Sequence, residues 1–226
     1  MGPPVIPARL TGLLGFNAGY VDTAGFLALN GLFTAHVTGN FVTLGASLVH
    51  GTSGALAKLL ALPLFCLVVL CARLAGSRML ARGRAPVTAL LMAKVIALVA
   101  AAGVLIVRGP FADGNGWPAF SAGMLLVAAM AIQNAVQRMY MASAPPSTLM
   151  TGTTTQVMID LADLLGGVVG EVRQAAIGRL RKMIPALVAF AAGCALAALG
   201  YVAMGMWCFA LPPLIAVLTV MTSRER

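Results

Sequence analysis

Two short polar runs interrupt an otherwise apolar chain: Thr38-Gly39-Asn40 and Thr151-Gly152-Thr153. Threonine suits a helix N-cap, and glycine lets another backbone come close. A half-helix that starts there presents free backbone N–H groups and about half a positive charge. In low dielectric such an end favours an anion or a carboxylate. Asn40, Thr43, Thr153, Thr154, Thr155 and Gln156 add neutral donors. Two such ends facing each other make a solute site, with Asn17 and Asn134 lining it. Plain capping of two interfacial helices is the simpler reading of the same residues.

Asp22 is the sharpest charged candidate. It falls about twelve residues into an apolar run, ~18 Å along a helix axis. A carboxylate at that depth costs several kcal/mol unless it is paired, solvated or protonated. It reads as a proton-coupling group, or as a structural ion pair fixing helix register. Arg138, beside Asn134 and Gln137, binds an anion or snorkels to the interface. Lys94 is expected to snorkel, or to pair with Asp22, Asp160 or Asp163. Asp160 and Asp163 share a helix face and read as a solvated face near the basic run Arg173–Lys182. The chain has no Gly-rich phosphate loop with a following Lys, no His-Glu-x-x-His and no Cys-x-x-Cys. Nucleotide drive, a metal site and a bound cofactor are therefore not expected. Asp22 with His36 is the one acid–base pair on offer for an enzyme, and no enzymatic activity is expected.

The composition says what must position these groups. Hydrophobic residues make up 60% of 226 and charged residues 9%, against about 25% charged in soluble domains. This excludes a soluble protein, and the hydrophobicity excludes disorder. Four cysteines, all within apolar runs, are too few for a disulfide scaffold and read as buried free thiols. A net charge of +9 would point to nucleic acid in a soluble protein. Here the basic residues cluster between apolar runs and meet lipid headgroups instead.

A spanning helix needs about 20 apolar residues. Six runs qualify, near Leu10–Phe33, Ala55–Ser77, Pro86–Val107, Trp117–Met141, Ile184–Tyr201 and Met206–Thr222. With the N-terminus in the cytoplasm, eleven Lys and Arg lie inside: Arg9, the Arg73–Arg84 and Arg173–Lys182 clusters, Arg224 and Arg226. Only Lys58 and Arg108 lie outside. The positive-inside rule then places both termini in the cytoplasm. The two Thr-Gly segments are too short or too polar to span, and read as re-entrant or interfacial helices.

The order of elements repeats. Each half has a long span with an Asn-Ala pair, then a Thr-Gly segment, then two more spans. The Thr-Gly pairs follow Asn17 and Asn134 by 21 and 17 residues. Three spans per half makes the halves inverted, a transporter and channel architecture. The expected fold is all-α: a single polytopic membrane domain over residues 1–226. It comprises six transmembrane helices as two inverted three-helix repeats, about 10–107 and 117–222.

The stretch Gly15-Phe16-Asn17-Ala18-Gly19-Tyr20-Val21-Asp22-Thr23-Ala24-Gly25-Phe26, followed by Leu32-Phe33-Thr34-Ala35-His36-Val37-Thr38-Gly39-Asn40, closely resembles the N-terminal signature of the bacterial YoaK family. The resemblance is specific over about residues 10–50. It implies a six-span protein of the bacterial inner membrane, and it brings no activity or substrate. The physical reading therefore stands on its own. It is a secondary carrier or channel for a small, anionic solute, with Asp22 coupling protons. The alternative is a non-transporting membrane scaffold or sensor. The expected partners are the bilayer and a small-molecule solute. The Ala- and Gly-rich fifth span permits tight packing, internally or at a homodimer interface.

Overall fold

Helix starts and stops follow the punctuation of the sequence. The computed structural model describes residues 7–51, 53–148 and 150–224, and every regular element among them is helical. Arg226 of the expected inside cluster lies outside the described residues. The helices are α1 Ala8–Ala28, α2 Asn40–His50, α3 Ala55–Ala81, α4 Pro86–Arg108, α5 Trp117–Tyr140, α6 Met150–Leu165, α7 Gly170–Met204 and α8 Leu211–Arg224. Short 3-10 segments at Val37–Gly39 and Gly205–Ala210 lead into α2 and α8. Pro86 and Pro118 sit in the first turns of α4 and α5, where no intrahelical partner waits for the missing N–H. Gly51 (φ +65°) ends α2 and Gly54 (φ +89°) opens α3, both in the left-handed region that glycine tolerates.

Among the described residues, four helical stretches are long and apolar enough to cross a membrane: Ala55–Ala81, Pro86–Arg108, Trp117–Tyr140 and the 54 residues of Gly170–Ser223. The last contains both α7 and α8, joined at Gly205 (φ +56°). α1 has 21 residues but is not among the four; Asn17, Tyr20, Asp22 and Thr23 lower its apolarity. α7 starts at Gly170, well before the expected span at Ile184, because the basic run Arg173–Lys182 is itself helical. At 11 and 16 residues, α2 and α6 are shorter than the ~20 needed to span.

α1 lies along α7 on a face of small residues. Gly15 and Gly19 meet Ala186, Ala189 and Phe190, and Gly193 meets Phe16 and Tyr20. The Tyr20 hydroxyl donates to the Cys208 carbonyl at 3.0 Å and ties α1 to the turn after α7. α4 packs along α5, α5 against α3, and α8 against α4 and α1. α2 lies on α3, and α6 lies on α7.

The outward sides of α3 and α7 expose Leu67, Leu70, Leu74, Val188, Leu199 and Val202. So much exposed aliphatic surface on helices of this length fits lipid rather than water. The chain is thus a membrane-embedded helical protein. Its cysteines are all free, as expected, but Cys66 and Cys71 are exposed on α3 rather than buried.

Candidate functional site

α1 and α5 each carry a polar patch that grips the loop leading to the next helix. On α1 the gripping group is Asp22. Its Oδ1 accepts the Thr34 and Ala35 N–H groups, each at 2.7 Å. Its Oδ2 meets His36 Nδ1 at 2.6 Å. Asn40, the first residue of α2, completes the clasp. Its Nδ2 donates to the Phe33 carbonyl at 2.8 Å, and its Oδ1 accepts the Phe33 N–H at 2.9 Å. The free N–H groups ahead of α2 are therefore met by the protein's own carboxylate. Asp22 also lines a cleft of 170 Å³ with Thr23, Phe26 and Phe33.

On α5 the gripping groups are amides. Gln137 Oε1 accepts the Ser147 N–H at 3.0 Å and the Ser147 hydroxyl at 2.5 Å. Asn134 Oδ1 accepts the Thr148 hydroxyl at 2.7 Å. The His36 ring also comes close to the Thr148 backbone. The loop ahead of α2 thus touches the loop ahead of α6. The Phe190 ring stands edge-on to His36, with centroids 5.5 Å apart.

Lys94 departs furthest from expectation. Its side chain does not snorkel: the residue is 0% exposed, and Nζ donates to Gln133 Oε1 at 2.5 Å. Gln133 Nε2 donates to the Leu14 carbonyl at 2.9 Å and to the Ser147 hydroxyl at 2.8 Å. Lys94, Gln133, Ser147 and Gln137 therefore form one buried chain of hydrogen bonds linking α4, α5, α1 and the loop ahead of α6. No carboxylate pairs with Lys94 among the described residues, whether Asp22, Asp160 or Asp163. Asn17 is buried on α1, and neither of its polar side-chain atoms has a partner among the described residues.

The Thr-Gly residues do not cap. Gly39 precedes α2 without a side-chain cap, and Thr38 is exposed within the 3-10 turn. α6 already begins at Met150, so Thr151 and Gly152 are first-turn residues, both exposed, while Thr153 is buried. The Thr151 carbonyl accepts the Thr155 hydroxyl at 3.0 Å. Thr151 lines a cleft of about 700 Å³ with Met150, Thr154, Thr155 and Met158. Arg138 is exposed and makes no ion pair among the described residues. The structure thus joins Asp22 to Asn40 through residues 33–36, and Asn134 to the loop before α6. It leaves Arg138 outside that cluster. Sequence reading missed the role of Gln133 and Gln137, whose i, i+4 spacing puts a polar stripe on one face of an apolar helix.

Asp160 is also not on a solvated face. It is fully buried, and Arg179 holds both its oxygens, with Nη2 at 2.7 Å from Oδ1 and Nε at 3.0 Å from Oδ2. Gln156 adds a hydrogen bond at 2.9 Å. This clamp fixes α6 on α7. α2 on α3 has a counterpart without a carboxylate, in which buried Lys58 Nζ donates to Ser47 Oγ at 2.6 Å. Asp160→Asn should loosen α6 while the rest of the fold stays in place. Limited proteolysis should then cut within residues 150–165 faster than in the parent protein, with unchanged cutting elsewhere.

A family model described as "Protein of unknown function (DUF1275)" matches residues 10–222. YoaK is a member of that family, in keeping with the resemblance of the N-terminal signature. No curated protein and no solved structure matches the chain.

Proposed function

Since the chain belongs to the DUF1275 family, whose description carries no activity, we propose a function from geometry: a membrane carrier or channel for a small anionic solute. The solute is held near the midplane, where the N-terminal ends of α2 and α6 approach each other. The observation that carries this reading is the contact of the two loops at His36 and Thr148, between buried polar groups of α1 and α5. Broken helices that meet inside an apolar bundle are where carriers bind solute. Lys94, joined to the loop ahead of α6 through Gln133 and Ser147, lacks a carboxylate partner among the described residues, which favours an anion over a cation.

Helix pairing supports two inverted repeats, α1–α4 and α5–α8, with six crossings made by α1, α3, α4, α5, α7 and α8. Exchanging the halves turns the α1–α7 pair into α5–α3, α4–α5 into α8–α1, and α2–α3 into α6–α7, and all of these pairs pack. The clamps obey the same exchange. Ser47 lies nine residues after Thr38 and Asp160 nine after Thr151, and each holds a basic residue of the following long helix. In this reading both termini are cytoplasmic and the bilayer is the inner membrane of a bacterium. The protein acts without a cofactor and performs no covalent chemistry. The coupling proton falls to the Asp22–His36 pair rather than to Asp22 alone, because the carboxylate is already tied to backbone N–H groups.

Purified protein in proteoliposomes on a solid-supported membrane should give a saturable current with one class of anion. Single cysteines at Thr38 and Thr151 should react with polar reagents from opposite sides, and that solute should slow both reactions. Silence across inorganic anions and carboxylates, in electroneutral exchange assays as well as in current, would favour a scaffold or sensor instead.

A further inference from the structure

A donor count around Lys94 gives a net surplus of unsatisfied N–H groups. An ammonium has three N–H donors, and one is taken by Gln133 Oε1. Gln133 itself is full on its Nε2 side, bound to Leu14 and Ser147. Ser147 turns its hydroxyl to Gln137 Oε1, and Gln137 Nε2 is left buried with no partner. Asn17 lies one helical turn beyond Leu14, on the α1 face that Gln133 contacts. Side chains on a helix lean toward its N-terminus, so the Asn17 amide leans toward that contact. Asn17 Nδ2 and Oδ1 are both buried and unpartnered among the described residues. One buried hydrogen-bonded network thus carries the Lys94 amine at one end and the unpartnered Gln137 amide at the other, with the unpartnered Asn17 amide on the adjoining turn of α1.

We propose that Lys94, Asn17 and Gln137 form a binding site for a small monoanion with carboxylate-type oxygens. The ammonium supplies the charge, and the two amides supply directed donors. One negative charge balances one ammonium, whereas a second would be buried without a partner. The arrangement selects monocarboxylates of few carbons, or a planar oxyanion such as nitrate, over sulfate or phosphate dianions. Asp22 does not compete, because its oxygens are held by Thr34, Ala35 and His36. The inference deepens the carrier reading by naming its solute class, and rests on that reading for passage across the bilayer but not for binding.

The test is thermal unfolding of the purified full chain in detergent, titrated with sodium formate, acetate and nitrate, with sulfate as the control. Parent protein should show a saturable rise in melting temperature with at least one monoanion and none with sulfate. Lys94→Met keeps the volume and removes the charge, and should weaken the response at least about tenfold, the scale of a lost charge-assisted contact. Should that variant fail to fold, Gln137→Glu decides. It puts a carboxylate into the hydrogen-bonded network of the ammonium as a built-in counter-charge, so it should melt higher than the parent and lose its response to added anion. No monoanion response in folded parent protein would overturn the site, as would an undiminished response in Lys94→Met or Gln137→Glu. Binding without transport in proteoliposomes would keep the site and remove the carrier. Transport unaffected by these variants would do the reverse.

Discussion

Gly193→Val is expected to leave no folded protein. A Cβ at Gly193 would run into the Phe16 carbonyl of α1 and lie 3.0 Å from the Tyr20 backbone nitrogen. On the opposite helix, a Cβ at Gly19 would run into the Phe190 carbonyl. These obstacles are backbone, so no rotamer change relieves them. Overpacking costs about 1–3 kcal/mol where side chains can yield. Here α1 must move off α7 as a whole, which also pulls Tyr20 from Cys208. The loss should exceed that range and approach the ~5–15 kcal/mol of a typical fold. Size-exclusion chromatography should show aggregate in place of a single peak. Gly178→Ala, on the same helix but with open space around its Cβ position, should fold and melt at or above the parent temperature, since alanine is the better helix former.

Asp22→Ala should be nearly as damaging. It would orphan the Thr34 and Ala35 N–H groups, both bound at 2.7 Å, and free His36. Each buried N–H left without a partner costs about 1–3 kcal/mol. The His36 contact adds less, because that side chain is 35% exposed and partly screened. Asp22→Asn should behave differently. Its amide oxygen can still accept the backbone N–H groups, and its amide nitrogen can donate to a neutral His36. Thermal unfolding should therefore rank parent above Asn and Asn well above Ala. A carrier that folds with Asn but no longer responds to pH would place the coupling proton on this pair. Equal melting of all three would remove the clasp from the account.

Helices were legible where apolar runs end in Pro. Pro86 and Trp117-Pro118 marked boundaries that the structure keeps. The start of α7 was not, because hydropathy reports lipid contact and Arg173–Lys182 is helical without being apolar. The importance of Asp22 was legible from depth alone. Its partners were not, since they are mostly backbone N–H groups, which every residue but proline carries. The burial of Lys94 was hidden for another reason. A lysine inside an apolar run snorkels or turns inward according to which face meets a neighbour, and its neighbour Gln133 is 39 residues away. The Thr-Gly pairs located the two short helices but gave the wrong role to threonine: α2 starts after Gly39 with no side-chain cap, and Asn40 clasps the loop before it.

The buried ammonium of Lys94 has an electrical consequence. While protonated, it is a fixed charge inside the field that a polarised membrane drops across its core. Moving one elementary charge through the whole field is worth about 2.3 kcal/mol per 100 mV. Any rearrangement that shifts α4 against that field therefore makes the conformational balance of the empty protein a function of voltage. A monoanion seated beside Lys94 cancels that charge. Occupied and empty protein would then respond to the same potential by different amounts, and the empty form would be the one that feels it.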